Sequence, residues 1–163
     1  MCNDSAEYKL VMQLKKCGWH ISFAESCTGG LCAARLISIP DASSVLDASV
    51  ITYSNQSKTD YLGVNPDTIE CFGVVSEEVA LEMAEGVSLR NNADVGVGVS
   101  GIAGPTGGSE KKPVGTVCFG FKVGEETYAA TKHFPNAGRN EVRNASADYV
   151  FDEVLRLLQH KIT

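Results

Sequence analysis

The sequence predicts an α/β fold, a three-layer α/β/α sandwich with a mixed β-sheet, and three observations carry that prediction. Segments with helical spacing of apolar residues alternate with short β-branched runs, as in strands joined by crossover helices. Two late runs, 114–122 and 127–134, are separated only by Gly124-Glu125, so a hairpin adds antiparallel pairing. No repeat, low-complexity tract or linker divides the 163 residues, so a single domain over 1–163 is expected.

Taken in order, residues 4–17 read as a helix. Asp4 is positioned to cap it with Glu7 three residues on, Leu10, Val11 and Leu14 form its apolar stripe, and Gly18 stops it. Residues 19–25 read as a strand, and 29–39 as an Ala- and Leu-rich helix ending before Pro40. Residues 45–53 alternate and are β-branched, hence a strand; Asn55 then caps a short helix that ends at Gly63. Residues 65–75 read as irregular. Ser76, with Glu77 and Glu78 in the first turn, opens a longer helix with Val79, Met83 and Val87 on one face. "VGVGVSGI", 95–102, is a buried strand whose small residues mark a close approach, and 103–113 is a Gly/Pro/polar loop. After the hairpin, 139–161 form a long helix with Val142, Tyr149, Val150, Val154, Leu157 and Leu158 inward.

Apolar residues at 44% and charged residues at 21% describe a globular chain rather than a disordered one. The net charge of −6 argues against broad nucleic-acid binding, which depends on neutralising phosphates. No apolar run approaches the roughly 18–20 residues that cross a bilayer, and Met1-Cys2-Asn3-Asp4-Ser5 lacks the basic and apolar regions of a signal peptide. Neither a nucleic acid nor a membrane is expected as a partner, and the expected location is cytoplasmic. The cysteines, Cys2, Cys17, Cys27, Cys32, Cys71 and Cys118, contain no C-x-x-C pair and fit neither a zinc site nor a disulfide framework. Free thiols are expected, with Cys17, Cys32 and Cys118 as small buried hydrophobes.

Ligands of α/β sheets gather beyond the carboxyl ends of strands, and three loops there have unusual composition. In "ESCTGG", 25–30, Ser26 sits at a strand-to-helix turn, and Gly29 and Gly30 let a ligand approach a helix N-terminus. The stretch has neither G-x-S-x-G nor Walker spacing, so it reads as a capping turn, an anion site or a nucleophile's mount. Cys27 is the rival nucleophile, because a helix N-terminus lowers a thiol pKa. His20 lies six residues before Ser26, some ~20 Å away if extended, and is no partner for it; His133 and His160 read as ordinary histidines. In "TYSNQSK", Lys58 is either a solvated lysine or a base desolvated in a cleft, and Tyr53 ends a strand. In "SGIAGPTGGS", Ser100, Gly101 and Gly104 belong either to a long connection or to a nest for a phosphate or oxyanion.

Together, "AESCTGGLCAARL", "ITYSNQSKTDYLGV", "GVVSEEVALEMAEG", "SGIAGPTGGSEKKPVGTV" and "GRNEVR" resemble the C-terminal domain of the CinA family, also described as nicotinamide-nucleotide amidase. The resemblance spans roughly residues 6–158, and a stand-alone version of that domain is expected. It implies hydrolysis of the carboxamide of nicotinamide mononucleotide to nicotinate mononucleotide and ammonia, with no metal and no organic cofactor. The family's nucleophile matches Ser26, and its tyrosine and lysine match Tyr53 and Lys58. A family threonine falls on Ser100, and the family arginine on Arg139, with Gly138 before it where an acid is common and Arg143 as the fallback. The implied chemistry has Lys58 deprotonating Ser26, with Tyr53 as an available relay. Amides near Thr28 and Gly29 hold the oxyanion, and the 100–109 loop, Arg139 and the Gly29-Gly30 turn receive the phosphate. The alternative is a catalytically silent nucleotide-binding or competence-associated protein with the same pocket. A homo-oligomer, reasonably a dimer, is expected from the family and from apolar surfaces at 79–87 and 142–158.

Overall fold

All of Ile21–Glu25 (β1) is buried, and in the computed structural model, which describes residues 4–161, this strand lies inside a five-stranded sheet. Val50–Ile51 (β2) and Val95–Gly101 (β3) flank it, both parallel. Thr116–Val123 (β4) and Glu126–His133 (β5) extend the sheet antiparallel, in the order β2-β1-β3-β4-β5. The mixed sheet follows from its connections: helical crossovers keep the first three strands parallel, and the tight turn at Gly124 reverses the last. The carboxyl ends of β1, β2 and β3 therefore open on one edge.

Ala6–Cys17 (α1), Leu31–Ile37 (α2) and Arg139–Lys161 (α6) cover one face, packing Leu10, Leu14, Val150, Phe151 and Val154 onto Phe23, Val97, Phe119 and Phe121. Asn55–Leu62 (α3), Pro66–Phe72 (α4) and Glu77–Asn91 (α5) lie on the other, where Leu62, Val79, Met83 and Val87 meet Ala24. The small residues of 95–102 explain how closely α5 lies: a Cβ on Gly98 or on Gly120 would stand 2.1 Å from the Ala80 carbonyl oxygen. Among the described residues no helix is long and apolar enough to cross a membrane.

Several expectations are corrected. The cap of α1 is Ser5, whose Oγ accepts the Tyr8 amide at 3.2 Å; Asp4 pairs with Lys9 instead, and Glu7 binds Arg35. Likewise Ser54, not Asn55, caps α3, in a reciprocal box with Ser57. The strand expected over 45–53 shrinks to two residues. Side chains replace its ladder: Ser22 Oγ donates to Ala48 O at 2.6 Å, and the Phe23 amide donates to Ser49 Oγ at 3.1 Å. Residues 66–72, expected to be irregular, form α4, with Asn65 as cap and Pro66 in the first turn. Tyr149 is only partly buried, edge-on to Phe119 with Lys132 over its ring. Val79, Met83, Val87, Val142, Val150 and Val154 are fully buried against the chain's own sheet, so these stripes no longer argue for a second copy. Cys27, Cys32, Cys71 and Cys118 are free, as is Cys17, which is half-buried rather than buried; Cys2 lies outside the described residues.

Candidate active site

The turn after β1 is fixed from both sides. The Ser26 amide donates to Val99 O of β3 at 3.0 Å, and the Gly29 amide to Ser26 O at 3.1 Å. Gly29 and Gly30 have φ of +61° and +93°, a backbone that side-chain-bearing residues rarely adopt. The start of α2 is already neutralised from within: the buried Glu25 carboxylate accepts the amides of Gly30 (3.0 Å), Cys32 (3.1 Å) and Ala33 (2.9 Å). The expected anion site at Gly29-Gly30 is thus filled by the protein's own carboxylate. Glu25→Ala is expected to cost about 3 kcal/mol or more by leaving buried donors unpaired. A urea midpoint lowered at unchanged m-value is the result to look for; a change below ~1 kcal/mol contradicts this role.

Lys58 arrives from the other face of the sheet. Its helix starts at the Ser54 cap, one turn earlier, and the side chain turns back under the strand ends, 1% exposed. Its Nζ donates to Thr52 O at 2.7 Å and to Ser26 Oγ at 3.1 Å. No carboxylate stands within ion-pair distance of it among the described residues. Burial without a counter-charge pushes its pKa down to about 8. Cys27 moves oppositely: burial, with the Glu25 charge adding, pushes its thiol up to about 12, although its own amide and that of Thr28 favour the thiolate. At neutral pH it is a protonated thiol.

Ser26 and Lys58 floor an inner chamber of about 220 Å³, lined also by Cys27, Tyr53, Asn55, Val74, Val75, Ser100, Gly101, Ala103 and Arg139. It continues into an outer chamber of about 390 Å³ that shares Val74, Val75, Gly101, Ala103 and Arg139 and adds the glycine loop, Gly104 to Ser109, with Lys112. Arg139, the first residue of α6, stands between them: it donates to Gly104 O and to the Tyr53 hydroxyl, each at 2.8 Å. Tyr53, 62% exposed, is thus held by Arg139 rather than relaying between Ser26 and Lys58, which touch directly. Ser100 donates to Val74 O at 2.7 Å. Thr28 is fully buried, and Thr28, Gly29 and Gly30 line neither chamber. Arg143, the fallback, donates to Thr28 O at 2.9 Å and braces the turn from behind. His20 is bonded to Asp47, and His133 lies against Val114 O. Among the described residues no group of three or more His, Cys, Asp or Glu gathers as a metal site.

Sequence reasoning missed Asn55 as a lining residue, the Val74-Val75 wall and Lys112. Only the first carried a signal, since Asn55 lies two residues after Tyr53 and one turn before Lys58.

Fold and site together define an α/β/α domain with a half-buried serine bonded to a buried lysine at the carboxyl edge of its sheet. The family model for the CinA C-terminal domain matches residues 3–158, and the chain belongs to that family. A CinA-like protein of Petrotoga mobilis is 46% identical over 157 residues, covering 96% of this chain and 39% of the relative; one of Kosmotoga olearia is 44% identical over 155 residues, covering 95% and 37%. The chain spans less than two-fifths of the length of these curated relatives. Among solved structures, the competence/damage inducible protein CihA from Agrobacterium tumefaciens superposes with a TM-score of 0.91 at 39% identity, covering 94% of this chain and 93% of that one. A CinA superfamily protein from Escherichia coli superposes with a TM-score of 0.89 at 32% identity, covering 96% and 92%.

Proposed function

We propose that this domain is an amidohydrolase that deamidates nicotinamide mononucleotide through a Ser26 nucleophile and a Lys58 base. The observation carrying this reading is the 3.1 Å approach of a buried, unpaired lysine amine to a serine hydroxyl. A carboxylate beside Lys58 would hold it charged; burial alone favours the neutral amine a base requires.

In the first half-reaction the Ser26 Oγ–H proton passes to Lys58 Nζ as Oγ attacks the carboxamide carbon. The Cys27 amide, which borders the inner chamber and carries none of the turn's backbone hydrogen bonds, is the donor we assign to the developing oxyanion; such a donor contributes about 3 kcal/mol. The Gly29 amide, committed to Ser26 O, takes no part. Lys58 returns its proton to the departing nitrogen, and ammonia leaves a nicotinyl ester on Ser26. Water, deprotonated by the same amine, cleaves the ester, restoring the Ser26 hydroxyl and releasing the carboxylate. The inner chamber suits the amide end, and the outer chamber, with Arg139 and Lys112 at its edge, suits the ribose phosphate. The chemistry uses neither metal nor organic cofactor. Free thiols suit a reducing compartment, and we read the protein as cytoplasmic.

The direct test is ammonia release from nicotinamide mononucleotide, its riboside and free nicotinamide. Release from the mononucleotide supports the reading. A mononucleotide that binds with no ammonia formed leaves only a nucleotide-holding pocket. Cys27→Ala separates the two nucleophiles: ammonia release is expected to stay within about threefold of wild type, because a thiol held protonated is no nucleophile. A folded but inactive Cys27→Ala protein reassigns the nucleophile.

A further inference from the structure

The wall Gly73 to Val75, of which Val74 and Val75 border both chambers, has an unusual anchorage. Four successive main-chain carbonyls are each held by a side chain. Lys112 Nζ donates to Phe72 O at 2.8 Å and to Val75 O at 2.6 Å. Ser76 Oγ donates to Gly73 O at 2.8 Å, and Ser100 Oγ to Val74 O at 2.7 Å. Two of these donations come from one ammonium on the glycine loop, about forty residues away in sequence. Its own backbone is set by a tight turn: Ser109 N–H donates to Lys112 O at 2.8 Å, and Lys112 N–H donates to Ser109 Oγ at 3.1 Å. No carboxylate pairs with Lys112 among the described residues.

We propose that Lys112 is a positioning residue: by pinning the carbonyls of Phe72 and Val75, it makes the loop that receives the substrate's far end set the wall against which its amide end lies. The proposal rests on the amidase reading above. Val74 and Val75 face Ser26 and Lys58 across the inner chamber, while Gly73, Ser109 and Lys112 border the outer one. An anion in the outer chamber is drawn towards the unpaired ammonium and fixes the loop. The two carbonyl bonds carry that order to the wall. Binding at the remote end thereby tightens the geometry at the reacting carbon, so a substrate lacking the remote end loses rate as well as affinity.

Lys112→Met keeps the aliphatic stem and removes the donors. Wild type and variant are compared on nicotinamide mononucleotide and on its riboside, the same amide without the phosphate. The kcat advantage of the mononucleotide over the riboside is expected to fall about tenfold in the variant. An equal loss on both substrates, as from a purely structural residue, or an unchanged ratio overturns the proposal. A second readout does not need turnover: mononucleotide binding is expected to slow amide hydrogen exchange across 73–77 in wild type, and in Lys112→Met to leave it unslowed at saturating ligand. Absence of that slowing in wild type, or its persistence in the variant, overturns the proposal even if the wild-type protein releases no ammonia. Ammonia release that is absent while the exchange response is present means that the amidase reading alone has failed.

Discussion

Replacing Ser26 by alanine is expected to lower ammonia release by about 10⁴-fold or more, the scale on which removal of an activated nucleophile acts. The fold should not notice. The Ser26 side chain's hydrogen bond is to Lys58, and the bond that fixes the turn, from the Ser26 amide to Val99 O, belongs to the backbone. The thermal midpoint is expected to match wild type, and the mononucleotide is expected still to bind, because Arg139, Lys112 and the glycine loop are untouched. A Ser26→Ala protein retaining a tenth or more of wild-type turnover, to set a rough limit, contradicts the assignment.

Lys58→Met is expected to be nearly as severe, about 10³-fold in kcat, while leaving the protein no less stable than roughly 1 kcal/mol below wild type. Methionine fills the space of the lysine stem and removes the amine that burial penalises; the loss is the donations to Thr52 O and to the half-buried Ser26 Oγ. The pH dependence separates this role from a packing role. The neutral amine is the active form, so wild-type activity should climb as pH rises through about 8 and then level off. Stability carries the same signature. With a folded pKa of about 8 and an ordinary value of 10.5, the unfolded chain binds more protons between those limits. Wild-type stability should therefore rise with pH across that window, because below it the full cost of burying a charged amine is present in the folded state. In Lys58→Met that rise should vanish. Equal slopes in the two proteins would mean that Lys58 is hydrated and charged.

Much of this site was legible because its chemistry sits at strand ends, where polar and small residues interrupt apolar runs. Ser26, Lys58, Ser100 and Arg139 stand on four separate segments, and the structure brings all four to one chamber. The element types were readable where periodicity was long, as in α5 and α6, or where a turn residue was decisive, as at Gly124. What failed was local competition between side chains and backbone. Ser5 and Ser54 took caps assigned to Asp4 and Asn55, and Ser22 and Ser49 took the pairing expected of a longer β2. The role of Glu25 was hidden for a related reason. A carboxylate at the end of a buried strand does not declare its partners, and only three-dimensional proximity reveals that it caps the following helix. Lys112 gave no signal at all, because a lysine in "SEKKP" looks like any solvated loop residue, and its acceptors lie on a segment that sequence reading left irregular.

Everything chemical here depends on the amine at position 58 giving up its proton well below the usual lysine range, so that a working fraction is neutral at physiological pH. The most direct measurement is an NMR titration of lysine side chains labelled at Cε, with Lys58→Met identifying the resonance. The account predicts a midpoint of about 8 for Lys58. A midpoint near 10.4, the value of a lysine in water, would contradict it.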